Sequence, residues 1–226
     1  MTQQEAITFL VAGWEEIPLD DVARAEGALR AWSDNAGGQL SLHRFDLEPD
    51  LVASLSDVDA LREQYRHMVV KQNGAVVSVD RMDISGLPAL KTVLKFQQEP
   101  HGMTYVGSYT FPFEDFSYVV RVICSEIGTT GIRDTVVAQK AGGIAEEGIA
   151  PDWFQDPYDP SFEASVLRNR SDDEEWDLLF PDHPLSRVRA TLRLVTDGCE
   201  IADELRQCRP FTGPRGAKRR KSWWRR

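Results

Sequence analysis

The stretch "MTYVGSYTFPFEDFSYVVRVICSEIGTTGIRDTV", residues 103–136, decides the fold. Its first part puts Tyr105, Gly107, Tyr109 and Phe111 on one parity. After a turn at "PFED", Phe116, Tyr118, Val120, Val122 and Cys124 share a face, and Ser117, Val119, Arg121 and Ile123 share the other. A period of two is the mark of a strand. Two strands joined by so short a turn are antiparallel, because parallel neighbours need a crossover of about a dozen residues. The chain then turns through Gly128 and Gly131. Thr130 is the expected N-cap of a helix over 131–141, with Asp134 in its first turn, an apolar stripe of Ile132, Val136 and Val137, and a stop at Gly142-Gly143.

Upstream, the same period recurs. "ALKTVLKFQQ" places Leu90, Thr92, Leu94 and Phe96 on one side and Lys91 and Lys95 on the other, which predicts a half-buried strand. Residues 75–84 are also strand-like. Four successive strands with short connections make an antiparallel meander. Before them, residues 56–74 read as a helix capped by Ser56. Val58, Leu61, Tyr65, Met68 and Val69 lie on its face, and it ends at Asn73-Gly74. Residues 6–14 and 39–46 read as strands. Residues 20–33 read as a helix on the spacing of Val22, Ala25, Leu29 and Trp32, which Gly27 interrupts.

Downstream, residues 143–165 carry three prolines and four aromatics in irregular order, the composition of a long ordered loop or arm. Ser171 and Glu174 match a capping box. Asp182 before Pro184 is the expected N-cap of a helix bearing Leu185, Val188, Leu192 and Val195, closed by Asp197-Gly198. Residues 199–208 add a further turn or two, and little order is expected from Pro210 onward. The fold class is therefore α+β: an antiparallel meander sheet with helices packed on it, a C-terminal helical extension and a basic tail. Three regions follow: an α/β sandwich domain over 1–141, an acidic aromatic arm with short helices over 142–209, and a disordered tail over 210–226.

In its order of strand, helix, meander and helix, and in the run "GMTYVGSYTF…FSYVVRVICSEIGTTGIRDTV", the segment 6–141 resembles the PsbP/DcrB-like α/β sandwich superfamily. The resemblance implies an antiparallel sheet with a helix on each side. It also implies a binding, assembly or accessory role rather than catalysis. Residues 142–226 fall outside it.

Composition is that of a globular protein: 226 residues, 42% apolar and 27% charged. The N-terminus lacks a signal-peptide pattern, and no run approaches the roughly 20 apolar residues of a membrane-spanning helix. Three cysteines, Cys124, Cys199 and Cys208, are an odd and sparse set, expected as reduced thiols in the cytoplasm. Net charge is −10, divided unevenly. Nine basic and no acidic residues follow Glu204, which leaves residues 1–205 at −19. Such asymmetry points to partners.

Candidate chemistry is sparse. "GTTG" lacks the Lys and the spacing of a phosphate loop, and an antiparallel setting excludes the dinucleotide fingerprint. His43, His67, His101 and His183 form no ligand pair, Cys199 and Cys208 stand nine apart, and Asp152, Asp156 and Asp159 do not follow a calcium loop. No metal and no cofactor is expected. Cys124 shares parity with Val120 and Val122, the placement of an inert buried thiol. Glu126 and Arg133 flank the turn as an expected structural ion pair.

Two peripheral features stand out. Residues 151–182 hold ten acidic residues against Arg168 and Arg170, with aromatics among them. Trp153, Phe154, Tyr158 and Trp176 are the expected contacts for a protein partner. The tail interleaves Lys218, Arg219, Arg220, Lys221, Arg225 and Arg226 with Trp223 and Trp224, a pattern suited to nucleic acid or an anionic surface. The leading expectation is a non-enzymatic cytoplasmic interaction or adaptor protein. A nucleic-acid-binding accessory role through the tail is the second, with about six phosphate contacts and a log–log salt slope near −5. An enzyme using 143–165 as a lid, with His101, Glu126 and Arg133 in one cleft, is the third.

Overall fold

The computed structural model describes residues 6–145 and 148–216. Its strands are β1 (Ile7–Thr8), β2 (Glu15–Ile17), β3 (Ala28–Ser33), β4 (Gln39–Phe45), β5 (Gly74–Ile84), β6 (Leu87–Gln97), β7 (Met103–Pro112), β8 (Ser117–Ser125), β9 (Ile144–Ala145), β10 (Gly148–Ile149) and β11 (Glu200–Ile201). Its α-helices are α1 (Asp21–Ala25), α2 (Val58–Val70), α3 (Ile132–Lys140), α4 (Pro184–Asp197) and α5 (Asp203–Arg206).

Seven strands form one sheet in the order β2-β3-β4-β8-β7-β6-β5, every pair antiparallel. The α+β class and the meander of β5 to β8 are as expected. β4 joins the meander's last strand, with Leu40 opposite Val122 and Leu42 opposite Val120. On one face, α2 buries Leu61, Tyr65 and Val69 against Val76, Val79, Leu90 and Leu94. A bulge between Val76 and Ser78 brings both Val76 and Val79 to that face. On the other face, α4 buries Leu185, Val188, Leu192 and Val195 against Leu40, Leu42, Val93, Val120 and Val122. Those four side chains contribute about 6–12 kcal/mol as an upper bound. α4 sits this close because Gly107 lies beneath it. A Cβ there would stand 2.5 Å from Val188 and 2.9 Å from Leu192. Both faces of the central strands are thus covered, and the second covering helix comes from beyond residue 142, not from within 6–141.

Several local expectations are corrected. Residues 20–33 are not one helix: α1 ends at Ala25, Gly27 takes φ +86, and β3 begins at Ala28. A side chain at 27 would meet the Arg44 carbonyl oxygen at 2.4 Å. Trp32 instead pairs with Leu40 across the sheet. The first strand is only Ile7–Thr8, paired with β11. Asp57, not Ser56, caps α2 by accepting from the Ala60 N–H at 3.2 Å. Gly131, not Thr130, is the N-cap of α3. The stripe of α3 is displaced, since Ile132 is exposed while Arg133 and Val137 are buried. The capping box is Asn169 with Asp172, not Ser171 with Glu174. His183, not Asp182, caps α4, its Nδ1 accepting from Leu185 N–H at 3.2 Å.

Lys95 is the largest departure. Its parity faces α4, not water, and its side chain is 2% exposed. Nζ donates to Asp172 Oδ2 at 2.6 Å, and Tyr105 Oη donates to Asp172 Oδ1 at 3.5 Å. The arm that supplies Asp172 is clamped elsewhere too. Tyr158 Oη accepts from Val79 N–H at 2.6 Å and donates to Val79 C=O at 3.1 Å, on the outer edge of β5. Residues 210–216 are ordered, contrary to expectation: Phe211 is buried beside Leu51 and Leu55, and Arg215 pairs with Glu114 and Asp115.

Candidate functional site

A cleft of about 700 Å³ opens where β8 turns into α3. One wall is this corner, with Ile127, Thr129 and Ile132. The opposite wall is Leu179, Phe180, Pro181 and Pro184, leading into α4. The β3–β4 turn, with Asn35 to Gly37, closes one end. Ile127 is 72% exposed, Ile132 52% and Leu179 51%. Concave, mostly apolar sites with a few convergent polar groups are the usual form of binding sites.

Four charged groups at the cleft, Glu126, Arg133, Asp34 and Arg187, are held by partners within the protein, while Asp182 also lines it. Glu126 accepts from Gly131 N–H at Oε1 and from Met103 N–H at Oε2, both at 2.9 Å. His183 Nε2 stands 3.7 Å from Glu126 Oε1. Burial pushes the Glu126 carboxyl up, but His183 and the two backbone N–H groups outweigh it, so it lies below its ordinary value. Because His183 Nδ1 accepts from Leu185, the proton of the neutral ring sits on Nε2, facing Glu126. Asp34 accepts from Gly38 and Ala36 N–H groups and pairs with Arg187. Its carboxyl is raised by burial and lowered further by these partners, with a net lowering.

Glu126 and Arg133 both line the cleft, but they do not pair. Arg133 turns away into the arm. Its Nε donates to Ser171 C=O at 2.6 Å, Nη1 to Asp177 and Ser186, and Nη2 to Asp177 and Asp173 C=O. All five of its N–H donors are occupied, and its side chain is fully buried. Arg189 completes this cluster, donating to Asp177 at 3.0 Å and to Asp172 C=O at 2.5 Å. His101 is exposed and lies outside the cleft, as do the described residues of 143–165. Ser125 Oγ is hydrogen-bonded to Thr104 Oγ1 at 2.8 Å. Cys124 is fully buried, and burial pushes its thiol up to about 11.

The four arm aromatics are not brought together. Trp153 is buried under α3 with Val137 and Ala138, and Trp176 packs against the same cluster. Tyr158 belongs to the α2 core, and Phe154 is 45% exposed. The tail residues Lys218, Arg219, Arg220, Lys221, Trp223, Trp224, Arg225 and Arg226 lie outside the described residues. Among the described residues no group of three or more His, Cys, Asp or Glu is placed to hold a metal ion, and no helix is long and apolar enough to cross a membrane. Sequence reasoning missed His183, Asp34, Arg187, Ile127 and Leu179 as cleft residues. The one local signal was "PDHP", where a helix start places a histidine.

No protein-family model and no curated protein matches the chain. Among solved structures it is similar to a protein of Bacteroides thetaiotaomicron VPI-5482, with 10% identity and a TM-score of 0.34, over 61% of this chain and 42% of that one. The chain thus spans less than half the length of that protein. It is also similar to the cyanobacterial PsbP (CyanoP) of Synechocystis sp. PCC 6803, with 13% identity and a TM-score of 0.34, over 62% of this chain and 83% of that one. Likeness at this level carries no argument about function.

Proposed function

We propose that this is a non-enzymatic interaction protein whose cleft receives a short apolar segment of a protein partner. The observation that supports it is the contrast within the cleft. Ile127, Ile132 and Leu179 stand open to solvent, while Glu126, Arg133, Asp34 and Arg187 are engaged in holding the fold. Burying one such side chain in a partner contributes about 1.5–3 kcal/mol, or roughly 10- to 150-fold in affinity. On this reading Trp153, Tyr158 and Trp176 serve the partner site indirectly, by holding the arm that carries Leu179 and Phe180. Phe154 offers a contact of its own. The three free thiols support a reducing, cytoplasmic setting.

The test is affinity capture with the native chain and with an Ile127→Asp/Leu179→Asp variant, whose surface positions leave the core intact. The expected outcome is a partner retained by the first and lost by the second at unchanged circular dichroism. Equal capture by both rejects the cleft as the site. Saturable turnover of any compound in a broad substrate panel rejects the non-enzymatic role.

A further inference from the structure

The sheet face that carries α2 holds a polar row unrelated to the cleft. Thr92, Ser108, Arg121 and Ser41 are successive cross-strand partners on β6, β7, β8 and β4. The next row is Leu90, Thr110, Val119 and His43. Leu90 lies under the α2 core on one side, and Glu26, just past the end of α1, lies on the other. Between them the row reaches solvent along Ser41 and the exposed Gln39.

Arg121 is the unexplained group. It is half-buried, its Nε is out of contact with water, and Nε has no acceptor. Its Nη2 lies 3.5 Å from His43 Nε2. No carboxylate among the described residues comes within ion-pair distance, and Glu26 acts on it only through space. Burial depresses its pKa. The contrast with the rest of the chain is sharp: Arg133, Arg187 and Arg189, equally or more buried, each have a carboxylate partner. His43 adds no charge. Burial, and then Arg121 itself, bring its pKa to about 4, so it is neutral at pH 7. Hydroxyl residues flank Arg121 in the two rows of the sheet. Ser41 Oγ is 2.9 Å from His43 Nε2, Thr92 and Ser108 are bonded at 2.8 Å, and the buried Thr110 Oγ1 has no partner.

A desolvated guanidinium with a free edge is costly unless an anion completes it, and its planar fork matches oxyanions. We infer that the row centred on Arg121 is a binding site for an oxyanion, the phosphate or carboxylate head of a small ligand. The free edge of the guanidinium would hold the head, and the hydroxyls of Ser108 and Thr110 would orient it.

The test titrates the full-length chain with sodium phosphate and, separately, sodium acetate, each against sodium chloride at equal ionic strength. The Arg121 Nε–H resonance is followed by NMR and the melting temperature by calorimetry. The expected result is a saturable shift of that resonance and a rise in Tm of about 2–4 °C with one of the two anions. A response to phosphate alone identifies a phosphate head, and a response to acetate alone a carboxylate head. Arg121→Gln abolishes the rise while leaving the anion-free protein at least as stable as the native chain, because no ion pair is lost. An unmoved resonance, a response matched by chloride, or an equal rise in Arg121→Gln overturns the inference. The resonance decides the matter without a variant.

Discussion

The buried pair of Lys95 and Asp172 offers a quantitative trial of how the arm is held. Both side chains are at most 2% exposed, and Nζ lies 2.6 Å from Oδ2. Asp172 keeps two weaker supports, Asn169 N–H at 3.0 Å and Tyr105 Oη at 3.5 Å. Lys95→Met removes the cation and leaves a carboxylate with no water and no counter-ion in contact. Asp172→Asn does the converse to the ammonium. Breaking a buried pair from one side costs about 3–5 kcal/mol, so each single variant should lose that much in urea unfolding. For a chain of this size the loss is a fall in Tm of about 6–20 °C. The double variant Lys95→Met/Asp172→Leu leaves no buried charge. It forfeits mainly the Asn169 capping bond, about 1 kcal/mol. The double variant should therefore be more stable than either single one. Losses below about 1 kcal/mol in the singles, or strict additivity in the double, refute the reasoning.

Other expectations follow from the same geometry. Gly107→Ala places a Cβ between Val188, Leu192 and Val122, and overpacking there should cost about 1–3 kcal/mol in urea unfolding, with no loss arguing against the seating of α4 on β7. In the folded protein a thiol reagent should label Cys208 alone, since Cys124 and Cys199 are buried and raised to about 11, and all three should react once it is unfolded. The folded pKa of His43 is lowered from 6.5 to about 4. Its contribution is therefore present above pH 6.5 and lost as pH falls from 6.5 to 4, about 3 kcal/mol in all. His43→Gln should flatten the stability–pH curve over that interval. Glu126, Asp34 and Asp172 are also lowered, and their contributions should fade at still lower pH, as they protonate.

How much of this was legible in the sequence depends on the range of the interaction. The meander was readable because a strand's parity is local: Tyr105 to Phe111 and Phe116 to Cys124 show it within ten residues. The face of α2 was readable for the same reason. The break at Gly27 was visible as a weakness, but Leu29 and Trp32 also fit a helical spacing. Their strand was decided by the pairing of Arg30 with Leu42 and of Trp32 with Leu40, contacts that propensity does not encode. Parity also shows which residues share a face without showing what covers it. Lys95 sat on the parity of Lys91, and both were read as wet. Only the return of the arm, some 77 residues later in the chain, places a carboxylate over Lys95.

The candidate sites divide along the same line. By itself the sequence determined an α+β chain built on an antiparallel meander, the corner at 126–133, the helix with Leu185, Val188, Leu192 and Val195 on its face, and a strongly divided charge. These follow from local periodicity and composition. The tertiary structure decided the partners. It sent Arg133 to Asp177 rather than to Glu126, set His183 against Glu126, laid α4 over Gly107, and left Arg121 Nε on the opposite face without an acceptor. Buried polar groups must find partners wherever the chain happens to bring them, and that proximity is a property of the assembled fold rather than of any short stretch.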